Sequence, residues 1–257
     1  MRRAAYTNDI SKPPIVLRVL GSIVKWALIA LLAGLVAATA YFVVRGYTLY
    51  NNAAQEKSVA DMVADIESRA GFTPLEELPE TYLAAVVSVE DHRFYQHPGF
   101  DALATGRALF NDLRAGAIVE GGSTITQQLA KNEFFSQEQV VERKVAEVFM
   151  AFDIERALDK DRILELYVNS IYFGEGLYGI GPACQGYLGK APSAMNDWES
   201  TLLAGVPNAP SVYAPTQNYD LACQRQAQVL EHMVKHCAIT QEEANAIAVQ
   251  TTRSLRA

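Results

Sequence analysis

The feature that most constrains this chain is an uncharged, largely apolar stretch of 19 residues, 26–44, bracketed by Lys25 and Arg45. At about 1.5 Å of rise per residue, a helix of this length spans roughly 29 Å, close to the ~30 Å hydrocarbon core of a bilayer. The stretch therefore predicts a single transmembrane helix.

Two other interpretations compete with a membrane anchor: a cleaved signal peptide and a helix buried in a protein core. Small residues at 38–40 offer a cleavage site. The apolar core of a signal peptide is usually about 7–15 residues long, and this run is longer. Its length favours an uncleaved anchor.

The charges before the apolar stretch predict its orientation. Residues 1–25 carry one acid, Asp9, and five basic side chains: Arg2, Arg3, Lys12, Arg18 and Lys25. Short flanking segments rich in Lys and Arg stay in the cytoplasm. We therefore expect a cytoplasmic N-terminus and an extracytoplasmic remainder.

The part of the chain after residue 45 is acidic, with 16 basic and 28 acidic side chains. Such a surface has no general attraction for nucleic acid or anionic lipid. We expect no nucleic-acid partner, and any anionic substrate must be held by a few placed cations.

Hydrophobic periodicity predicts a mainly α fold, because apolar residues recur at helical spacing and period-two alternation is almost absent. After a short helix at 59–70, further helices are predicted at 80–90, 102–114, 123–131, 138–158, 160–169, 193–204 and 221–236. The predicted domains are 1–25 (basic segment), 26–44 (anchor), 45–56 (linker), 57–215 (main domain) and 216–257 (C-terminal helical extension).

The first segment with candidate catalytic residues is 83–101, where an apolar helix ends in Glu90 and Asp91. A partly desolvated carboxylate has a raised pKa, which suits a general base. A solvated helix end is the alternative on spacing alone.

The second segment, 120–135, has paired glycines followed by Ser123, Thr124, Gln127, Gln128 and Lys131. Glycines allow a ligand to approach the backbone, hydroxyls and amides can line a sugar, and a helix start with a lysine suits phosphate. The alternative is an ordinary helix start capped by Ser123.

The third segment, 140–158, places Glu147 on an apolar helical stripe, with Arg143 and Lys144 one turn earlier. This arrangement suits a second active-site carboxylate. A surface ion pair between Arg143 and Glu147 explains the spacing equally well.

A fourth segment, 160–190, combines a helix with six glycines. No strand precedes these glycines, so they do not form a dinucleotide fingerprint. Alone, they indicate only tight turns.

Together these segments resemble glycosyltransferase family 51, the peptidoglycan polymerases found alone or as the first domain of bifunctional penicillin-binding proteins. Five blocks carry the resemblance: EDHRFYQHPGFD at 90, GGSTITQQLAKN at 121, RKVAEVFMAFDIE at 143, ILELYVNSIYFGEGLYGIGPA at 163 and WESTLLAGVPNAPSVYAP at 198. The resemblance implies a lysozyme-like glycosyltransferase domain that is partly sunk in the membrane. It also implies transfer of a growing undecaprenyl-pyrophosphoryl glycan to lipid II, with release of undecaprenyl pyrophosphate.

The resemblance also assigns roles to residues. Glu90 matches the base that takes the proton from the 4-hydroxyl of the acceptor N-acetylglucosamine, and Asp91 supports it. Glu147 matches a second acid, which acts at the donor pyrophosphate or through a divalent cation. The sequence itself requires no cofactor, and Mg or Mn is the cation that the resemblance would allow.

Substrate binding is assigned by the resemblance to polar and basic side chains of the second and third blocks: Ser123, Thr124, Gln127, Gln128, Lys131, Asn132, Arg143 and Lys144. One departure stands between these blocks, because the family commonly has an arginine where this chain has Gln139. One pyrophosphate contact is therefore expected to be missing.

The chain ends about 40 residues after the fifth block, too few for a further domain of typical size. We therefore expect a monofunctional enzyme without a transpeptidase domain. Expected partners are the lipid-linked substrates, the membrane and cell-wall synthesis proteins. A lysozyme-like hydrolase and a weakened lipid II-binding scaffold are the alternatives.

Overall fold

The computed structural model describes residues 15–116, 121–136 and 140–254, in two compact units, 1–45 and 46–257. The first helix, α1 (Ile15–Glu56), provides what is described of the first unit. Within the described residues, it is the one helix long and apolar enough to cross a membrane, with a mean hydropathy of 2.4 in its most apolar window.

Helix α1 does not stop at the predicted end of the anchor but runs unbroken through 45–56, the predicted linker. No proline interrupts this stretch, and Ala53, Ala54 and Gln55 are good helix formers. The helix ends before Ser58, which caps the next helix with a reciprocal bond to Asp61.

The second unit is mainly helical, which confirms the predicted class. Its helices are α2 (Val59–Glu67), α3 (Glu80–Glu90), α4 (Ala102–Ala115), α5 (Ile125–Phe134), α6 (Val141–Ala157), α7 (Lys160–Ser170), α8 (Ile180–Leu188), α9 (Asp197–Gly205), α10 (Pro210–Tyr213), α11 (Tyr219–Lys235) and α12 (Gln241–Ser254). Strands β1 (Tyr172–Gly174) and β2 (Leu177–Tyr178) form an antiparallel hairpin, the one sheet among the described residues.

Two helix groups surround the core of this unit. Helix α3 packs against α9 and α11, while α5 packs against α6 and α7. The largest fully buried side chains include Trp198, Tyr82, Tyr167 and Phe94. This packing brings the C-terminal end of α3 and the N-terminal half of α5 together.

Several predicted boundaries differ from the structure. The helix predicted at 193–204 begins only at Asp197, because Asn196 caps it with a reciprocal bond to Glu199, and Pro192–Ala194 forms a separate 3-10 turn. The hairpin, α8 and α12 were not predicted. The two strands have only three and two residues, too few for an alternating pattern to be recognised.

The predicted boundary at 215 separates elements that pack together. Helix α11 contacts α3 and α9 directly, and its buried side chains include Val229 and Met233. The predicted C-terminal extension therefore contributes to the core of the main domain.

Candidate active site

Glu90 is the last residue of α3, and the next residue leaves the helical conformation, with φ −159° and ψ 76° at Asp91. The buried Asp91 carboxylate accepts hydrogen bonds from the backbone N–H of Ile125 (3.1 Å) and from Nε2 of His97 (2.9 Å). It thus ties the end of α3 to the first turn of α5. These bonds hold the turn that follows Glu90, and the supporting role expected of Asp91 stays a prediction.

The orientation of His97 follows from its two ring nitrogens. The backbone N–H of Gly99 donates to Nδ1 over 3.2 Å. Nε2 must therefore carry the proton that is donated to Asp91. This buried pair fixes the turn that follows Glu90.

Helix α5 begins with a reciprocal cap formed by Thr124 and Gln127. The Thr124 hydroxyl oxygen accepts from the backbone N–H of Gln127, and the Gln127 side chain accepts from the backbone N–H of Thr124, each over 3.1 Å. Both side chains are buried. Thr124, not Ser123, is the cap. Neither Thr124 nor Gln127 is among the residues that line the cleft beside Glu90, and their contact with substrate stays a prediction.

The Glu90 carboxylate lies at the wall of a cleft of about 560 Å³. Nε2 of Gln128 donates to its Oε2 over 2.8 Å, while its Oε1 is buried without a hydrogen-bond partner among the described residues. Burial raises the pKa of Glu90, and the Gln128 hydrogen bond together with the charges of Arg225 and Lys131 opposes that rise. A carboxyl in this environment is suited to accept a proton.

Glu147 is fully buried on α6 and is paired with two cations. Nε of Arg143 lies 2.8 Å from one carboxylate oxygen and Nζ of Lys144 lies 2.6 Å from the other. Lys144 also donates to Oγ of Ser123 over 2.8 Å. The pair between Arg143 and Glu147 that the spacing suggested does form, but inside the protein and not on its surface.

Lys131 contributes an ammonium group that forms no ion pair within the part of the chain that the structure describes. Burial lowers its pKa, as do Lys144 and Arg143, whereas Glu147 and Glu90 raise it. The side chain lines the first cleft and a second one of about 700 Å³. Asn132 lines only the second cleft, beside Tyr172 and Tyr178.

Sequence reasoning missed the wall that α11 supplies to the first cleft. This wall comprises Arg225, Gln228, His232, Lys235 and, just after the helix, His236. Their spacing follows one face of a helix, and that was the available signal. Arg107 of α4 adds a further cation to the cleft. The expected local cations therefore come from α4 and α11 as well as from α5 and α6.

A divalent cation does not fit the second acidic site as it stands. The oxygens of Glu147 already pair with Arg143 and Lys144. Among the described residues, no three His, Cys, Asp or Glu side chains come together as metal ligands. Gln139, the departure from the family, lies outside the described residues.

Comparison with known proteins identifies the family of this chain. The sequence model of the family "Transgly: Transglycosylase" matches residues 55–234. The chain belongs to the transglycosylase family. The match includes α11, which supports counting that helix with the main domain, and extends beyond the predicted 57–215 at both ends.

Similar curated proteins are penicillin-binding proteins. The chain is 45% identical over 172 residues to penicillin-binding protein 1A of Vibrio cholerae, covering 67% of this chain and 21% of that protein. It is 44% identical over 172 residues to penicillin-binding protein 1A of Aquifex aeolicus, covering 67% and 24%. It is 43% identical over 170 residues to penicillin-binding protein 1F of Bacillus subtilis, covering 66% and 24%.

The chain therefore spans about a quarter or less of the length of these relatives. Among solved structures, penicillin-binding protein 1A from Haemophilus influenzae matches with a TM-score of 0.42 and 22% identity, over 71% of this chain and 18% of that one.

Proposed function

We propose that this protein polymerises peptidoglycan glycan strands. In this reaction a growing undecaprenyl-pyrophosphoryl glycan is transferred to the 4-hydroxyl of the N-acetylglucosamine of lipid II, and undecaprenyl pyrophosphate leaves. The observation that carries the proposal is the Glu90 carboxylate, with its raised pKa, in a cleft whose other charged groups are mainly cationic. Such a cleft accommodates one proton acceptor and a polyanionic leaving group.

The proposed step balances at Glu90. The carboxylate takes the proton of the acceptor hydroxyl as that oxygen bonds to the anomeric carbon of the donor. The bond from that carbon to the pyrophosphate oxygen breaks, and its electron pair leaves with the pyrophosphate. Because Gln128 holds one carboxylate oxygen at 2.8 Å, the base keeps a fixed orientation as it receives the proton.

The leaving pyrophosphate needs positive charge more than it needs a proton. Lys131 is available for this purpose because it forms no ion pair among the described residues, and Lys144 and Arg143 add positive charge near it. Lys144 adds a second ammonium, held between Glu147 and Ser123. Charge-assisted bonds from such groups stabilise negative charge as it develops on the pyrophosphate oxygens.

Glu147 is proposed to act through the cations that it holds. Its carboxylate is fully buried and meets Arg143 and Lys144 at 2.8 and 2.6 Å. Both carboxylate oxygens are thus occupied by cations. Its role is to fix the two cations, and Lys144 is the one that lines the cleft.

The same geometry favours transfer over the lysozyme-like hydrolase. Hydrolysis of a glycosidic bond by two carboxylates needs one of them to protonate the departing sugar oxygen. Glu147 is not placed for that task, because it is fully buried and its two oxygens lie against Arg143 and Lys144. A pyrophosphate donor removes the need for such an acid.

The membrane topology and the finer partners are part of the same proposal. Helix α1 anchors the protein, and the basic segment 1–25 keeps the N-terminus in the cytoplasm, so the cleft faces the outer side of the bacterial cytoplasmic membrane. Lipid II, the growing glycan and the membrane are the proposed partners, and association with cell-wall synthesis proteins stays a prediction.

One assay separates the three candidate functions. Detergent-purified protein is incubated with labelled lipid II or with preformed glycan, and products are analysed before and after muramidase digestion. Muramidase-sensitive polymer is expected from lipid II. Cleavage of preformed glycan alone would favour the hydrolase, and binding of lipid II without product from folded protein would favour the scaffold.

A further inference from the structure

The last turns of α1, from Gly46 onward, belong to the second unit and lie along α6. Gly46 approaches Val145, the ring of Tyr50 lies 5.6 Å from that of Phe149, and the Tyr50 hydroxyl donates to Asp153. On α6 these partners are spaced at i, i+4 and i+8, so they share one face. The two helices run side by side in the same direction, because the paired residue numbers rise together.

At Gly46 the two helices approach each other closely. A Cβ at this position would lie 2.5 Å from Cβ of Val145 and 2.8 Å from the carbonyl oxygen of Glu142. Both distances are shorter than atomic contacts allow, and one of them involves the backbone of α6. Any larger residue at 46 must therefore displace α6 or the end of α1.

Two other glycines in the same helix show that this crowding is specific. A Cβ at Gly21 or at Gly34 would meet no atom within 4 Å. Glycine inside a helix costs about 1 kcal/mol relative to alanine. At position 46 the close contact with α6 explains why glycine is present despite this loss of helix stability.

Tyr50 makes the second part of the contact. Its hydroxyl donates to Oδ2 of Asp153, whose Oδ1 accepts from Arg156 over 2.6 Å. The ring of Tyr47 packs edge-on against Phe149 at 5.4 Å. A glycine contact at one end and a hydrogen bond at the other fix α6 along the last turns of α1.

Residues next to these contacts on α6 belong to the proposed active site. Lys144 precedes Val145, and Glu147 lies two positions before Phe149. Lys144 reaches Ser123 over 2.8 Å and Glu147 over 2.6 Å. A displacement of α6 by ~1 Å would break such bonds, and misplacements of that size can cost on the order of 100-fold in rate.

We propose that Gly46 and Tyr50 are positioning residues for glycan transfer: the last turns of α1 set the placement of α6 and, through it, of Lys144 and Glu147. This inference rests on the proposed function. It makes the end of the anchor helix part of the catalytic domain's working geometry and not merely a tether.

The main test compares Gly46→Ala with Gly34→Ala in the full-length protein. Both changes favour the helix intrinsically, but only the first collides with α6. Polymerisation of lipid II should fall roughly 10- to 100-fold in Gly46→Ala and stay at the wild-type rate in Gly34→Ala. Thermal unfolding in detergent is measured alongside, so that loss of fold is recognised.

Two further variants keep the inference falsifiable if Gly46→Ala folds poorly. Tyr50→Phe keeps the ring contact and removes only the hydroxyl, so it should fold and lose roughly 3- to 10-fold in rate, the loss of one hydrogen bond. Tyr41→Phe, at an exposed position of the same helix, is its control. In a double-mutant cycle, the rate loss caused by Tyr50→Phe should be smaller when Lys144 is already alanine. The reason is that Tyr50 is proposed to act by placing the Lys144 side chain, which that variant lacks.

The outcomes distinguish this inference from the function on which it rests. If the wild type makes no polymer, the proposed function is wrong and the inference falls with it. If the wild type polymerises and Gly46→Ala and Tyr50→Phe match it, the inference alone is overturned. Rate losses that are fully additive with Lys144→Ala would also contradict it, because they would indicate a general structural effect.

Discussion

Nε2 of Gln128 donates a 2.8 Å hydrogen bond to Oε2 of Glu90, although 38 residues separate the two in sequence. The bond crosses from α5 to the end of α3. Tyr167 of α7 donates to the Gln128 oxygen over 3.3 Å, which orients the amide. The proposed base is therefore held by a relay from a third helix.

Removing the Gln128 amide should shift the pH dependence of the reaction. The hydrogen bond favours the ionised form of Glu90 and so opposes the pKa rise that burial causes. In Gln128→Leu the pKa of Glu90 should rise further, and the acidic limb of the pH–rate profile should move to higher pH. Gln185→Leu, at an exposed position of α8, is the control. An acidic limb that Gln128→Leu leaves unchanged would contradict this role.

Glu90→Gln should stabilise the protein while removing activity. A pKa raised in the folded state means that Glu90 contributes stability below its unfolded pKa and loses it as pH rises through the folded pKa. Above that pH the ionised, buried carboxylate is unfavourable, and glutamine relieves this. We expect a higher melting temperature than wild type at pH 8 and no gain at pH 4, measured by thermal unfolding in detergent.

Glu147→Gln should reduce turnover severely without abolishing it, because Lys144 and Arg143 remain but lose their shared anion. It should also lower stability by about 1–3 kcal/mol, since Arg143 is left buried beside a neutral amide. Denaturant unfolding and initial rates check the two effects. A wild-type rate would return Glu147 to a structural role alone.

Arg225→Gln tests the wall that α11 supplies. Arg225 lines the cleft and its charge lowers the pKa of Glu90. Its loss should raise KM for lipid II roughly 10-fold, the value of about one charge-assisted hydrogen bond. Arg114→Gln, at an exposed position near the end of α4 and outside the lining of the cleft, is the matched control, and equal KM values for the two variants would argue against an anion-binding wall.

The stacked pair His92 and His236 should make stability pH-dependent. Their rings lie 3.9 Å apart, and burial, with the charges of His92, Lys235, His232 and Arg107, lowers the pKa of His236 from 6.5 to about 4. A lowered histidine pKa gives stability that is lost as pH falls from 6.5 towards 4. In His236→Asn this loss should be smaller, which thermal unfolding between pH 7 and 4 would show.

Sequence alone located the helices with strong periodicity, but the ends of only some of them. Helix α3 was predicted with both of its ends as observed, because an apolar run stops at two acids. The ion pair of Arg143 with Glu147 followed from i,i+4 spacing. Its burial did not, since burial depends on how α5 and α6 pack.

Other features depended on tertiary contacts that no local pattern reveals. Thr124 and Gln127 were expected at the substrate, yet their side chains satisfy the start of α5. The cationic side of α11 was visible only as a polar helix face, and nothing in the sequence pointed it towards Glu90. The continuation of α1 beside α6 was likewise not predicted, because the polar residues at 45–56 were interpreted as a linker.

The most direct test of the account is the initial rate of lipid II polymerisation by wild type, Glu90→Gln and Glu80→Gln, the last being an exposed carboxylate at the start of the same helix. The account predicts muramidase-sensitive polymer from wild type and Glu80→Gln at similar rates, and none above background from folded Glu90→Gln. Near-normal polymerisation by Glu90→Gln would contradict the assignment of Glu90 as the base.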